Sequence, residues 1–474
     1  MAAPDNRPLP VRLLTTESTA SRASVDSVPV LGVHPLGSLQ VHKVETPTDD
    51  GPPPLMEEGE DEMPGLEGTI HMSHELGGGD VVLVLDLPEV FTVGYDAVSF
   101  TAKHFGGVRD VPSGPHLFWV SHPSGMSARC GFWIESTSSH KVHVLQWDSF
   151  NEVLAEAGFA EARIQRDNLA KFHQKLISYE DPSASGEVKT AANIDIWRQL
   201  TGSIGASVLR RIGGADGTVL VHTGDKARGA VLLAGEMELE RRFSAGAGRE
   251  LGFSFDQRGK TYSAARFGAE RSEEAKDATA YILAVMEEAG LSDADVVGEM
   301  QFAYMTGVHL GNESCIQQWW HMLLKLILKA YGLIVRKPLL VAALLRTLAA
   351  QIAYDQDWLD SSILQATGDS QSKDLRLALV VYQRRLDEIV AEDPVPDVLA
   401  VATALVRVEG AAAALGWDIK AQYLRTGKVI MEDGEEVEVE MEELAAEDER
   451  GEYAPEIVEL DGEGRQKDLV SWSE

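Results

Sequence analysis

Apolar positions change their spacing partway along this chain, and that change divides it. Between Gly77 and Trp147 they come in short runs: Val81–Leu85, His116–Val120, Gly131–Ile134 and Lys141–Trp147. Runs of this length, apolar or alternating, predict strands buried on one or both faces. Pro, Gly and Ser clusters at Val111–Gly114 and His122–Ser127 separate them, as turn chemistry requires. Charge mixture and apolar spacing predict a helix over Asn151–Leu176. After a break at Asp181–Gly186, Ile194, Trp197, Leu200 and Ile204 predict a short amphipathic helix over Ile194–Leu209. Thr218–His222 and Val231–Ala234 return to strand-like runs, so residues 76–258 form one β-dominated domain with a few helices.

After Thr261 the period becomes helical. Ser272–Ala289 sets Ala275, Ala278, Tyr281, Ile282, Val285 and Met286 on one broad face. Val296–Leu310, Ile316–Val335, Leu339–Ala353, Leu375–Ala391 and Asp397–Leu415 continue the pattern, making about six helices over residues 269–425. Gly311-Asn312 stops one helix, and Pro394 and Pro396 keep the last two apart. Gly410–Ala414, all small residues, predicts close helix packing. Ile316–Val335 is apolar enough to raise the question of a membrane span. His321, Lys325 and Lys329 interrupt it every four residues, which fits a buried amphipathic helix better. The fold class that follows is α+β multidomain, with an N-terminal β domain and a C-terminal all-α domain.

The two ends read differently. Residues 1–75 are rich in Pro, Ser, Thr and acidic residues, lack sustained periodicity and are expected to be disordered. Residues 426–474 form an acidic tail in which Glu436–Glu442 alternates strictly with Val437, Val439 and Met441. A second extended stretch follows, Pro455-Glu456-Ile457-Val458-Glu459-Leu460. Such segments cannot build a core alone, but they can add as a strand to the sheet edge of another protein.

Charge sharpens this picture. The 474 residues carry a formal net charge of −33, which repels phosphate backbones and favours basic protein partners. The two cysteines, Cys130 and Cys315, lie far apart, which argues against a disulfide framework and fits a reducing compartment. The first residues lack a basic region followed by an apolar one, so secretion is not expected.

Candidate chemistry is thin. Gly77-Gly78-Gly79 precedes a strand, whereas a phosphate loop follows one. His116, His122, His140 and His143 lack the thiolate or carboxylate company a metal needs, and His116 reads as a packed or hydrogen-bonded side chain. Ser124, His122 and Asp148 could be drawn as a hydrolase triad, but no nucleophile elbow frames the serine. Trp319-Trp320 and the Phe302/Tyr304 pair could stack bases, yet lack the cations that dominate nucleic-acid affinity. They read as core aromatics.

The order of several motifs carries a resemblance. Gly94-Tyr95-Asp96-x-x-Ser99-Phe100 is followed by Pro112-x-Gly114-x-His116, Arg129-Cys130-Gly131-Phe132-Trp133 and Val144-Leu145-Gln146-Trp147-Asp148. Then come Tyr179 with Trp197-x-x-Leu200, Gly298-Glu299-Met300-Gln301-Phe302-Ala303-Tyr304, Leu310-Gly311-Asn312 and Trp320. Trp417-Asp418 and Pro455–Leu460 close the series. This order resembles the a-one-cistron splicing factor (Aar-two) family, assembly factors of the U5 small nuclear ribonucleoprotein, over about residues 78–462. The long N-terminal extension, the shortened Gly213–Arg249 region and the Glu/Val insertion at 435–443 depart from its pattern.

The resemblance implies a β-sandwich-like N-terminal domain and a VHS-like helical domain. It implies a non-enzymatic chaperone of assembly, without cofactor, metal, membrane or small-molecule substrate. The implied partner is the scaffold protein Prp-eight, whose RNase H-like and Jab/MPN domains the factor binds, the tail adding a strand at Pro455–Leu460. The implied effect is to block premature helicase binding, from cytoplasmic maturation until nuclear exchange, with phosphorylation promoting release. It gives the motif residues Gly94, Asp96, Pro112, Gly114, His116, Gly131, Trp147, Trp197, Gly298, Glu299, Gln301, Phe302, Gly311, Asn312 and Trp320 a structural role. Two other readings stay open: a hydrolase-like or ligand-binding enzyme on the β domain, and a helical adaptor for peptide motifs.

Overall fold

Apolar runs separated by turns assemble into two stacked sheets, and the helices that follow close one side of them. The computed structural model describes residues 42–43, 78–101, 103–123, 128–180, 187–213, 218–230, 249–261, 275–359, 362–365, 370–392, 395–420, 424–430 and 436–442. Expectations for residues 1–41 and 44–77, for Val231–Ala234, for Ser124 and for Pro455–Leu460 lie outside them; His42–Lys43, expected to be disordered, instead pair in parallel with Phe100–Thr101.

The first sheet has six strands in the order β1 (His42–Lys43), β4 (Val98–Thr101), β3 (Thr92–Tyr95), β6 (Gly114–Ser121), β7 (Arg129–Ser136) and β11 (Thr218–His222). The second has five: β10 (Ile177–Ser178), β5 (Gly107–Val111), β2 (Asp80–Leu85), β8 (Val142–Asp148) and β9 (Val153–Glu156). Val82, Val84 and Leu145 of the second sheet meet Phe118, Val120, Phe132 and Ile134 of the first in one buried layer. Strand alternation sends Leu117, Trp119, Trp133, Val219 and Val221 to the opposite face, against the helices. With both faces covered, β6 and β7 need apolar residues at nearly every position, which is why they read as continuous runs. The outer face of the five-stranded sheet is covered by α1 (Phe159–Asp167) and α2 (Leu169–Phe172), through Ala162 and Leu169 on Val81, Leu83 and Val144. Two short strands, β12 (Lys226–Ala227) and β13 (Glu250–Leu251), pair in parallel beside this assembly.

The helical region follows α3 (Glu187–Thr201) and α4 (Ala206–Gly213). It contains α5 (Thr279–Glu288), α6 (Asp293–Leu310), α7 (Glu313–Trp320), α8 (Leu333–Arg336), α9 (Pro338–Asp357), α10 (Ser370–Glu392) and α11 (Pro396–Ala414). Helix α6 starts in a capping box: Ser292 Oγ accepts from Asp295 N at 3.2 Å, and Asp295 Oδ2 accepts from Ser292 N at 2.9 Å. It ends at Gly311, whose φ of 59° suits a residue without a Cβ. Asn312 then caps α7, its side chain accepting from Cys315 N at 2.8 Å. Pro338 and Pro396 occupy first-turn positions of α9 and α11, where no N–H is needed. Helix α9 is long and apolar enough to cross a membrane, but 67% of its most apolar window is buried within the protein. It is a core helix.

Four further expectations are corrected. Asn151–Leu176 is not one helix: Val153–Glu156 pairs antiparallel with β8, Trp147 opposite Leu154, before α1 begins beyond Gly158. Ile194–Leu209 is two helices, because the Gln301 side chain accepts from Ser203 N at 2.8 Å and stops α3 there. Ile316–Val335 is not one helix: its first α-helical part ends at Trp320, a π turn (His321–Leu326) tightens to a 3₁₀ turn (Ile327–Lys329), and α8 begins only at Leu333. Two outside contacts break it: Ala278 N donates to the Lys329 carbonyl at 3.0 Å, and Asp277 Oδ2 accepts from Gly332 N at 3.0 Å. The stripe of His321, Lys325 and Lys329 therefore does not run along a regular α-helix. Finally, the segment read as turns between Val81–Leu85 and His116–Val120 holds three strands, β3, β4 and β5.

Trp133 joins the β and α halves. Its indole donates to Thr306 Oγ1 at 2.9 Å, and its ring lies 5.8 Å from Trp197 and 5.5 Å from Phe302. Trp133→Ala is expected to cost about 3–5 kcal/mol, the usual figure for a buried aromatic. Urea unfolding of the variant checks this, and a cost below about 1 kcal/mol would mean the joint is not tight.

Candidate functional site

The first motif, Gly94-Tyr95-Asp96, ends in a two-residue hairpin turn. Asp96 sits at its first position with φ 52°, between Tyr95 and Val98, which pair across β3 and β4. Gly94 is required nearby, because a Cβ there would fall 2.0 Å from the Trp119 ring. The turn points the Asp96 carboxylate into the protein, where three donors meet it. His116 Nδ1 lies 2.6 Å from Oδ2, the Tyr179 hydroxyl 2.5 Å from the same oxygen, and Leu117 N donates to Oδ1 at 3.0 Å. His116 Nε2 faces the Pro112 carbonyl at 2.9 Å. Two acceptors on one imidazole leave it both protons. Burial is the largest influence and pushes the His116 pKa down. The Asp96 charge and hydrogen bond, with the Pro112 carbonyl, together outweigh it and hold the pKa above its ordinary value. Burial and Asp96 likewise push the Tyr179 phenol far up, so it remains a donor. This is a buried ion pair with a phenol attached. It fastens β3–β4 to β6 and to the residue after β10.

The second cluster lies where α6 crosses the six-stranded sheet and α4. Gly298 allows the crossing, since a Cβ there would come 2.3 Å from the Ser203 carbonyl. Glu299, fully buried, accepts from Arg211 Nε at 2.8 Å, from Ser254 N at 3.0 Å and from Ser254 Oγ at 2.6 Å. Burial raises its pKa, with Ser254 and Arg211 pulling back. Gln301, besides holding Ser203, donates to the Gln199 carbonyl at 3.3 Å. Asn312 Nδ2 donates to the carbonyls of His222 at 2.8 Å and Asp225 at 2.9 Å. Trp197 Nε1 donates to the Pro115 carbonyl at 2.8 Å. Phe302 lies between Trp133 and Phe253, and Trp320 packs on Trp319 with ring centres 4.6 Å apart. Trp147 meets Phe91 edge-on at 5.1 Å. Gly131 sits under Leu310 and the Phe118 carbonyl, and Gly114 opens β6.

These residues hold the chain to itself. Among the described residues no three His, Cys, Asp or Glu side chains are grouped to hold a metal ion. His122 packs its ring on Phe91, while Asp148 accepts from the N–H groups of Phe150 and Asn151. Tyr304 and Trp319 are buried and bond to the Gln351 carbonyl and Oε1. Arg211, Ser254 and Thr306, which complete the clusters, were not visible as sites in the sequence; polar residues in or beside apolar runs were their only signal.

What remains for another molecule is the surface. Among the described residues, exposed large apolar side chains include Phe159 and Ile164 of α1 and Val406 of α11, and two further places stand out. Gln356 of α9 donates to the Ala411 carbonyl of α11 at 3.4 Å, and α8 packs on α11 as well, so α9 and α11 run side by side in the same direction. That arrangement brings exposed Val335, Leu339, Val395 and Leu399 to one end. The other place is the tip of the β8–β9 hairpin, with Phe150. In the tail, β14 (Leu424–Ile430) and β15 (Glu436–Glu442) form an antiparallel hairpin, Val429 opposite Val437 and Lys428 opposite Glu438. The alternating Glu/Val stretch is thus a strand, paired within its own chain.

A base whose pKa rises on folding stabilises the fold fully below its unfolded value near 6.5. That contribution fades as pH climbs through the folded value. Asp96→Asn is therefore expected to cost about 3 kcal/mol, as breaking a buried pair does, and to cost more at pH 6 than at pH 9. Urea unfolding at both pH values checks this; equal costs would refute the charged pair. The buried His309, driven down to about 3 by burial and then by Arg129, should stay neutral in imidazole NMR spectra at pH 5.

Comparison with known proteins places these features together. Residues 78–214 match the family model of the AAR2 N-terminal domain, and residues 253–420 match that of the AAR2 C-terminal repeat region. The chain is also similar to the A1 cistron-splicing factor AAR2 of Saccharomyces cerevisiae, with 24% identity over 254 residues, covering 51% of this chain and 68% of the yeast protein. The first match holds the Asp96–His116–Tyr179 cluster and the second holds α6 with its buried polar residues. With both regions present in order over most of the described residues, the chain belongs to the AAR2 family.

Proposed function

We propose that this protein acts in pre-mRNA splicing as a non-catalytic assembly chaperone of the U5 particle. It binds the RNase H-like and Jab/MPN domains of Prp-eight in the cytoplasm. It masks the helicase site there until exchange in the nucleus. The observation that carries the reading is the presence of both AAR2 regions, in order, around one shared core. The name of the yeast relative, a splicing factor, supports the same process. A binding role is further supported by the motif chemistry: Asp96, His116, Glu299, Gln301 and Asn312 are occupied in holding strands and helices together.

Charge supports protein over RNA as the partner. Residues 421–474 contain 18 acidic and 5 basic residues, which suits a basic protein surface and opposes a phosphate backbone. With Glu436–Glu442 paired to Leu424–Ile430, Pro455–Leu460 is the tail stretch we assign to the intermolecular strand. An extended segment that orders on binding gains main-chain hydrogen bonds and stays reversible, because ordering costs entropy. In this reading residues 76–258 and the VHS-like residues 269–425 provide two faces for the partner, and 426–474 the bridge.

Size exclusion of the purified chain mixed with a Prp-eight C-terminal fragment tests the whole reading; separate elution at micromolar concentrations would end it. Within it, replacing Ile457, Val458 and Leu460 by Asp should weaken capture about tenfold or more without moving the thermal midpoint. Wild-type recovery by that triple variant would remove the tail from the mechanism. Deleting residues 1–75 should leave capture unchanged, and a large loss would give the extension a binding role.

A further inference from the structure

The β8–β9 turn presents Phe150 with 92% of its surface exposed, the most exposed large apolar side chain among the described residues. An aromatic ring in water is costly, and this one is held there by a built turn. Asp148 Oδ1 accepts from Phe150 N at 2.9 Å and from Asn151 N at 3.1 Å, and Asn151 Nδ2 donates to Asp148 Oδ2 at 2.6 Å. Glu152 follows in the left-handed region with φ 55°, its carbonyl accepting from the Cys130 thiol at 3.7 Å. The turn is thereby tied to both sheets. It is pre-ordered, so little entropy would be lost when the ring is covered.

A second apolar group lies at the same end of the sheet. β2 and β8 run parallel with Leu85 opposite Gln146, so the chains leaving them emerge at the same end of the sheet. Gln146 Nε2 donates to Asp86 Oδ2 at 2.7 Å, and the Phe91 ring rests on Trp147. That sets Phe91 against the end of β8 and leaves Val90, the residue before it, in the loop at that end of the sheet, 51% exposed and with φ 71°. A β-branched residue rarely adopts that conformation, and strain of this kind persists only where the surroundings enforce it. Asp86, Glu89, Asp148 and Glu152 lie in or at the edge of the same two loops. His104 Nδ1 lies 3.6 Å from Glu89 Oε1.

We propose that Phe150 and Val90 form an anchor that enters an apolar pocket rimmed by arginine and lysine on the protein partner. The proposal rests on the assembly-factor reading above and adds a contact surface to it. Charge selects this occupant. Four carboxylates in the loops that carry these apolar side chains repel RNA phosphates and anionic lipid headgroups, but complement a basic protein surface. Exposed aromatics on rigid supports are the side chains that dominate such contacts.

The test uses the full chain and the Prp-eight C-terminal fragment, with affinity measured by titration calorimetry. Phe150→Ser should weaken binding by roughly tenfold or more with an unchanged thermal midpoint, since the ring supports no core. Phe150→Trp should keep most of the affinity. The combined variant Asp86→Asn, Glu89→Gln, Glu152→Gln should associate more slowly and with a flatter dependence on salt. If the wild-type chain binds and Phe150→Ser binds equally well, the anchor is refuted while the assembly-factor reading stands. If the wild-type chain does not bind, that reading falls and the anchor with it. Binding of single-stranded RNA or phosphatidylserine vesicles by the wild-type chain, lost in Phe150→Ser, would overturn the assignment to a protein.

Discussion

Helix α6 has almost no face turned to water. All but its first two residues are buried, so each polar side chain on it must find a partner inside the protein or leave an unsatisfied group costing kilocalories. Glu299 reaches Arg211 and Ser254, Gln301 reaches Ser203 and Gln199, and Thr306 reaches Trp133. These bonds fix the positions of α3, α4, the segment after β13 and the six-stranded sheet around one helix. A hydrophobic face alone would fix none of them, since apolar contact has no direction.

The same helix explains why the β and α halves share a core. Leu117, Trp119 and Trp133 of the sheet pack in one cluster with Phe302, Met305 and the apolar side chains of α9. Sheet and helices therefore support one another. The six-stranded sheet has one face on the helices and the other on the second sheet. The surfaces proposed for binding, a hairpin tip and the acidic tail, lie outside this core. Such a division suits a protein that acts by contact. A rigid interior holds an exposed knob in place, so little entropy is lost on contact.

Buried charge has a restricted use here. His116 keeps both protons because two acceptors face it, while His309 gives its charge up because burial and Arg129 both oppose it. Identical side chains in comparably dry places end in opposite states, and the difference lies in whether a carboxylate shares the site. Both rings are spent on joining strands and helices, as are Glu299 and Asn312.

Strand-sized apolar runs, the switch to helical period near Thr261 and the order of the motifs were legible in the sequence, because alternation and period follow from local geometry. So were the helix stop at Gly311-Asn312 and the break before Pro396, whose chemistry is local. Elements defined by a distant partner were not legible. Val153–Glu156 reads as helix until β8 lies beside it, and Thr92–Tyr95 reads as turn until β6 does. Ile316–Val335 reads as one helix until Asp277 and Ala278 take up the backbone groups near its end. The sequence likewise named Asp96, His116 and Glu299 without saying what they touch. Their side-chain partners, 20 to 88 residues away, are chosen by packing. Local bonding is written in neighbouring residues, whereas the satisfaction of a buried polar group is a property of the closed interior.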